Sequence, residues 1–360
     1  MIRAIALLIF IALAPVALAQ SAFDQMAWDE TVAAARKEGK VVLLAPPEPT
    51  ARKLLPELFH KRYGINLEYI SGRSSATAER LRAERSAGIY SADVVIAGIQ
   101  TMSKRFYQDK MLAPLKPLLV LPEVIDGSNW KNGKLWFVDP EQQFVLRLFN
   151  TVTPVLTINT DKVKPDEMRS SRDLINPKWK GKIAFMDPTV SGTGSNHAAQ
   201  LDMLFGDDFM KALLIAQKPA ITRDRHQLTD WVVRGTYPIS FGAEAGEIDR
   251  LQRQGFPLRA VYELSDMPGY LSGGDQLAVL DHAPHPNATK VFANWIATKE
   301  GSDAYGHAFS MVPARADTDA DLPREAIPRP GVNYFDPYDW NFTVTTKEQL
   351  RKRINGLMQE

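Results

Sequence analysis

Two short loops hold the residues best suited to gripping a ligand. Ser71-Gly72-Arg73-Ser74-Ser75 and Ser191-Gly192-Thr193-Gly194-Ser195 each follow an apolar run that reads as a strand and open a helical pattern. Free backbone N–H groups at a helix start, at the positive end of its dipole, attract an anion, and serine or threonine hydroxyls add directed hydrogen bonds. Either loop alone reads as ordinary capping chemistry. Two of them, at the carboxyl ends of strands in two separate blocks of the chain, point to a ligand held between them.

Neither loop has the G-x-x-x-x-G-K-[ST] pattern that cradles a nucleotide's phosphates, and Gly192-Thr193-Gly194 lacks the third glycine of a dinucleotide fingerprint. The frame nearest to a serine-hydrolase elbow, Gly242-Ala243-Glu244-Ala245-Gly246, carries glutamate where the nucleophile belongs. Six histidines include no H-E-x-x-H pair, and His282 and His285 flank a proline in a poor metal platform. The absence of cysteine excludes disulfides, thiolate metal sites and thiol nucleophiles. With 43 basic against 42 acidic side chains, no nucleic-acid field is implied. Trp130, Trp136, Phe137, Phe144 and Phe149 bracket a region between the blocks and read first as core.

The elements that must position the loops alternate. Trp28, Val32 and Ala35 share a helical face, Lys40 to Leu44 reads as a strand, a helix over 50–63 stops at Gly64, and Ile65 to Ile70 is the next strand. Ser74 and Ser75 are expected to cap a helix to about Ala87, followed by a strand over 93–97. Strand, helix, strand, helix, strand implies a parallel sheet with right-handed crossovers. A second alternating block has strands near 155–159, 181–186, 237–243 and 257–263. A late helix is expected from Asn287, an extended strap over 316–338, and a terminal helix over 346–358.

At the N-terminus, Met1 to Arg3 is a short cationic start, Ala4 to Val16 is apolar, and Ala17-Leu18-Ala19 is a small-residue cleavage pattern. That is the arrangement of a secretory signal peptide, with the mature chain beginning at Gln20. The apolar run is shorter than the ~20 residues a membrane-spanning helix needs.

Five segments, in order, resemble the family 1 solute-binding proteins of ABC importers, in the group that includes the iron(III)-type binding proteins. They are WDETVAAARKEGKVV (28–42), the stretch 81–98 with its AG-x-x-x-ADVV core, NTDKV (159–163), DLINPKWKGKIAFMDPTVSGTG (173–194) and APHPNATKVFANWIATKEG (283–301). The resemblance implies a two-lobed α/β periplasmic-binding-protein fold of type II, with a ligand cleft between lobes joined by crossover strands. It also implies a periplasmic location and delivery to a membrane permease served by a cytoplasmic ATPase. Ferric-binding relatives place a histidine, a glutamate and a tyrosine pair where this chain has Pro47, Gly98, Ala245 and Gly246. Hard trivalent iron wants anionic oxygen ligands, so bare ferric ion loses its cage here.

The expected organisation is a signal peptide over 1–19, one lobe from 20–145 plus 268–312, and a second from 146–267 plus 313–360. The expected function is a non-enzymatic, monomeric periplasmic receptor without a cofactor or resident metal. Its ligand would be a small anionic organic solute such as a carboxylate, phosphonate or phosphate ester. Ser71, Gly72, Arg73, Ser74, Ser191, Gly192, Thr193 and Ser195 are the first candidates to hold it, Arg73 through a charge-assisted contact. Glu48, Gly98, Thr153 and Glu244 follow. The alternatives are an iron(III) chelate as ligand and, in another class, a secreted hydrolase or lyase with a dispersed site.

Overall fold

The computed structural model describes residues 23–359, so the expected signal peptide and its cleavage point lie outside the described residues. The first helix, Gln25–Glu38, is capped by the Asp24 carboxylate, which accepts from the Ala27 N–H, and is closed by Gly39 at φ 79°. It buries Trp28, Val32 and Ala35, the face its apolar spacing predicts. Strands β1 (Lys40–Ala45), β2 (Asn66–Ser71) and β3 (Val94–Gly98) follow, with helices Pro49–Tyr63 and Ser74–Ser86 between them. The Ser74 helix differs from the sequence expectation at its start: Arg73 occupies the cap position and no side chain caps it.

These three strands are parallel, but the sheet as a whole is mixed. Its order is β2-β1-β3-β15-β4, where β4 is Leu112–Ala113 and β15 is Asp275–Leu280, and β5 (Leu146–Arg147) also pairs with β15. The late strand runs antiparallel to β3, with Asp275 opposite Gly98. The reason is geometric: β1 to β3 run toward the cleft, whereas β15 enters from it. Apolar layers cover both faces. Phe59, Phe292 and Trp295 pack ring to ring at 5.2–5.9 Å on one, and Val42, Leu44, Val95, Phe106 and Trp340 fill the other.

The chain then crosses through β6 (Thr151–Thr153) into a second sheet built from β7 (Leu156–Asn159), β8 (Ile183–Met186), β9 (Ala220–Thr222), β10 (Ile239–Phe241) and β11 (Leu258–Val261), in the order β11-β7-β10-β8-β9. Here β8, β9 and β10 are parallel and β7 is reversed, again because it arrives from the crossover. After the short hairpin β12 (Glu263–Leu264) and β13 (Met267–Pro268), β14 (Tyr270–Ser272) returns antiparallel to β6, pairing Tyr270 with Thr153 and Ser272 with Thr151. This two-stranded ribbon joins the lobes.

The late helix runs Pro286–Ala297, and its cap comes from elsewhere in the chain. The Glu38 carboxylate, at the end of the first helix, accepts from the Asn287 and Ala288 N–H groups and from Asn287 Nδ2. A further helix, Lys299–Phe309, follows directly. After Val312 the chain serves both lobes. Pro313 bridges to Phe149 and Ala314 joins the first lobe's core. A strap then passes over β6, Asp336 pairs with Arg147, and Trp340 packs on the first sheet. The last helix, Lys347–Leu357, buries Ile354 and Leu357 in the second lobe. Among the described residues, no helix is long and apolar enough to cross a membrane.

Candidate functional site

The cleft contains a cavity of about 190 Å³ where the ribbon, the second lobe and the strap meet. Three helices begin on it: Thr193–Lys211, Arg225–Val233 and Ala245–Arg253, whose first residues all line it. Asp224 caps the second of these by accepting from the His226 and Gln227 N–H groups, but no side chain caps the third. At the first, Ser195 folds back, accepting from Gly192 N at 3.2 Å and donating to Gly192 O at 2.9 Å. The remaining N–H groups of the Thr193 and Ala245 helix starts, with their dipoles, make this wall attractive to an anion.

Two glycines allow this convergence. A Cβ on Gly194 would lie 2.1 Å from the Met186 carbonyl oxygen, and one on Gly242, at φ 96°, would lie 2.7 Å from Met186 Cγ. The helix start therefore seats directly on the ends of β8 and β10. A third, Gly246, brings the second lobe against the first, since its Cβ would stand 3.3 Å from Ser310 Cβ.

Arg225 supplies the cavity's cation and Glu244 its carboxylate. They pair at 3.6 Å with more than half of each side chain exposed, so the pair is weak and the guanidinium is free to engage a solute. Thr151, Thr153, Thr193, Ser272 and Tyr338 surround them, and the Thr193 hydroxyl is buried without a hydrogen-bond partner. Burial alone would raise the Asp187 carboxyl, but bonds from Thr189 and Arg223 outweigh it and hold the group below the usual range. Asp187 is thus committed to shaping its loop. His197 is committed too: burial pushes its pKa down, and its ring nitrogens face the Thr193 and Pro154 carbonyls at 2.9 and 3.0 Å. At the head of β15, burial pushes the Asp275 carboxyl up to about 6 while its Oδ2 accepts from the Tyr305 hydroxyl.

The residues singled out in the sequence divide into three groups. Thr153, Thr193 and Glu244 line the cavity. Ser191 belongs to the contact between lobes, its hydroxyl donating to Gln100 Oε1 at 2.7 Å, whereas Gly98 ends β3 opposite Asp275 within the first sheet. Gly192, at φ 152°, is the exposed residue between Ser191 and the cavity. The others stand apart from the cavity wall. Glu48 caps its own helix by accepting from Thr50 N, and Ser195 is turned onto Gly192. Ser71, Gly72, Arg73 and Ser74 sit at the end of β2, an edge strand, where Arg73 is exposed and among the described residues has no ion-pair partner. Sequence reasoning missed Arg225, Ser272 and Tyr338. Arg225 carried a usable signal, since Asp224 before it is a helix cap; Tyr338 carried none. Of the five aromatics between the blocks, Trp130, Phe137 and Phe149 are core, with Phe149 stacked on Tyr305 at 5.0 Å.

Lys347 packs its ammonium 5.6 Å from the Tyr338 ring centre, and burial pushes its pKa down to about 8 despite the pull of Asp336. Lys131, whose Nζ donates to the Pro313 and Arg315 carbonyls, is likewise lowered by burial to about 8. Below about pH 8 the folded chain bears the whole cost of burying these charges. Between that point and the ordinary lysine value of 10.5 the unfolded chain binds more protons, so stability should climb with pH. Lys347→Met is expected to stabilise the protein by about 1–2 kcal/mol at neutral pH and to flatten part of that climb. Denaturant unfolding from pH 7 to 10 measures both, and an unchanged slope would count against the burial argument.

Comparison with known proteins identifies the class. Residues 57–326 match the family model for bacterial extracellular solute-binding proteins, and the chain belongs to that family. An uncharacterised protein of Haemophilus influenzae is 23% identical over 284 residues, covering 75% of this chain and 76% of that one. Among solved structures, the apo ferric ion-binding protein A of Pasteurella haemolytica is similar with a TM-score of 0.66 and 17% identity, over 89% of this chain and 98% of that one. AfuA of Actinobacillus pleuropneumoniae, a periplasmic binding protein solved with fructose-6-phosphate, gives 0.60 and 18% over 90% and 98%. These likenesses establish the two-lobed periplasmic-binding-protein fold that the sequence led us to expect. The protein is therefore a solute-binding protein of ABC-type transport, acting outside the cytoplasm and serving a membrane permease.

Proposed function

We propose that this receptor captures a small anionic organic solute, a carboxylate, phosphonate or phosphate ester, and binds it without transforming it before handing it to a permease driven by a cytoplasmic ATPase. The observation that carries the reading is the meeting of the Thr193 and Ala245 helix starts and Arg225 on one cavity, with an unpartnered threonine hydroxyl among them. Thr153, Thr193, Ser272 and Tyr338 would supply neutral hydrogen bonds around the charged group, and Glu244 would meet a donor on the solute. The volume of about 190 Å³ falls below the ~300 Å³ at which pockets for drug-sized ligands begin, which favours a compact solute over a bulky iron chelate. Ala245 and Gly246 line the cavity without offering a metal ligand. Among the described residues no group of three or more histidine, aspartate or glutamate side chains could hold an ion. A phosphate ester gains support from AfuA, whose structure holds fructose-6-phosphate.

Native mass spectrometry of gently purified protein should reveal the co-purified solute, and calorimetry with that compound should then rank the arginines. Arg225→Ala is expected to weaken binding by about 1.5–3 kcal/mol, the range for a hydrogen bond to a charged group, and Arg73→Ala by much less. A cationic or wholly neutral solute, or wild-type affinity in Arg225→Ala, would remove this account of the site and leave the fold untouched.

A further inference from the structure

We propose that Tyr338 is a positioning residue of the cleft, lent by the first lobe through the strap, whose hydroxyl latches the two lobes together at Asn196. The residue lies beyond the segment that matches the family model. Its neighbours along the chain fix it to the first lobe. Two residues earlier, Asp336 pairs with Arg147, a side chain 1% exposed whose Nε also donates to the Phe149 carbonyl. Two residues later, Trp340 is buried on the first sheet and meets the Tyr107 ring edge to face at 4.9 Å. The Tyr338 ring packs against the same layer, close to Gly274, with Lys347 over its face.

From that fixed base the hydroxyl reaches the other lobe. It accepts from Asn196 Nδ2 at 3.2 Å, and Asn196 is 1% exposed on the helix that starts at Thr193. Tyr338 and Thr193 line the same cavity, so the bond closes the wall beside the solute. Opening the lobes would strip the phenol from an amide buried in the second lobe. The closed arrangement is therefore favoured by the net worth of one sheltered hydrogen bond over the bonds to water that would replace it. The Ser191–Gln100 bond reports the same closure from outside the cavity.

This inference rests on the cleft reading but not on which solute fills it, so it is tested on ligand-free protein. The chain has no cysteine, so Gln100→Cys with Ser191→Cys gives a unique thiol pair whose crosslinking by dibromobimane measures how often the lobes meet. In that background Tyr338→Phe and Asn196→Ala should each slow crosslinking by roughly two- to tenfold, the population shift expected for one hydrogen bond. The double variant should be no slower than the slower single one, because both remove the same bond. Tyr334→Phe, which alters a strap hydroxyl that accepts from Arg329 N instead, should leave the rate unchanged. Wild-type rates in the single variants, or slowing that multiplies in the double, would overturn the latch. If Tyr338→Phe lowers the melting temperature, Asn196→Ala and the double variant still decide the question. Anion binding that persists at the cleft while crosslinking is insensitive would locate the failure in the latch alone.

Discussion

Once crosslinked between Gln100→Cys and Ser191→Cys, the protein is expected to lose solute exchange by about a hundredfold or more. A solute reaches a cleft of this kind only while the lobes are apart, and contacts both walls only when they meet. The Ser191 hydroxyl and the Gln100 side chain touch at 2.7 Å, so a short linker there fixes the observed arrangement without distorting it. A direct disulfide is the poorer choice because the glutamine that spans the gap is longer than a cysteine. Protein crosslinked empty should fail to take up solute, and protein crosslinked after loading should fail to release it. Stopped-flow fluorescence with the co-purified compound reads both. Exchange at the wild-type rate in fully crosslinked protein would mean that the cavity fills by a route other than lobe separation.

Gly194→Val should be the most damaging single substitution near the cavity. Its Cβ would lie 2.1 Å from the Met186 carbonyl oxygen and 2.7 Å from that of Asp187, both backbone atoms that cannot rotate away. The helix start would have to lift off β8, costing about 1–3 kcal/mol of stability by the usual scale for overpacking. The same shift would move the Thr193 N–H and hydroxyl away from the solute, so affinity should fall by more than Arg225→Ala alone produces. Gly356→Ala makes the contrast. That glycine sits in the last helix with open space around its Cβ position, and alanine there should be neutral or stabilising by about 0.5–1 kcal/mol. Thermal unfolding of the two variants, with calorimetry on whichever folds, checks both expectations. A Gly194→Val protein with wild-type stability would show that the helix start is not seated on the strand as described.

Much of the framework was legible. The runs that became β1, β2, β3, β7 and β8 announced themselves as short apolar stretches flanked by glycine and polar residues, and their observed bounds differ from the sequence reading by one or two residues. Gly39 and Gly64 were readable as helix stops because a left-handed closing residue is a local requirement, and both have positive φ. Of the site, Thr153, Thr193 and Glu244 were legible as polar residues at the ends of strands. Ser195 and Glu48 show the limit of that reasoning. Each is the right type to bind a ligand, yet each spends its oxygen on nearby backbone N–H, and residue type does not distinguish the two uses.

The sequence by itself determined the alternation of elements and the family, since the first follows from residues read in place and the second from segments that keep the family's order. The tertiary structure alone decided that β7 and β15 run against their neighbours, that Glu38 caps a helix some 250 residues further on, and that Arg225, Ser272 and Tyr338 share a cavity. The division has a physical cause. Helix periodicity, strand alternation and stop signals arise from interactions within a few residues, so they leave a pattern in the chain. A cavity wall is assembled from segments whose meeting depends on how two lobes and a strap pack, and the residue that completes it, Tyr338, needs no neighbour in sequence to announce it.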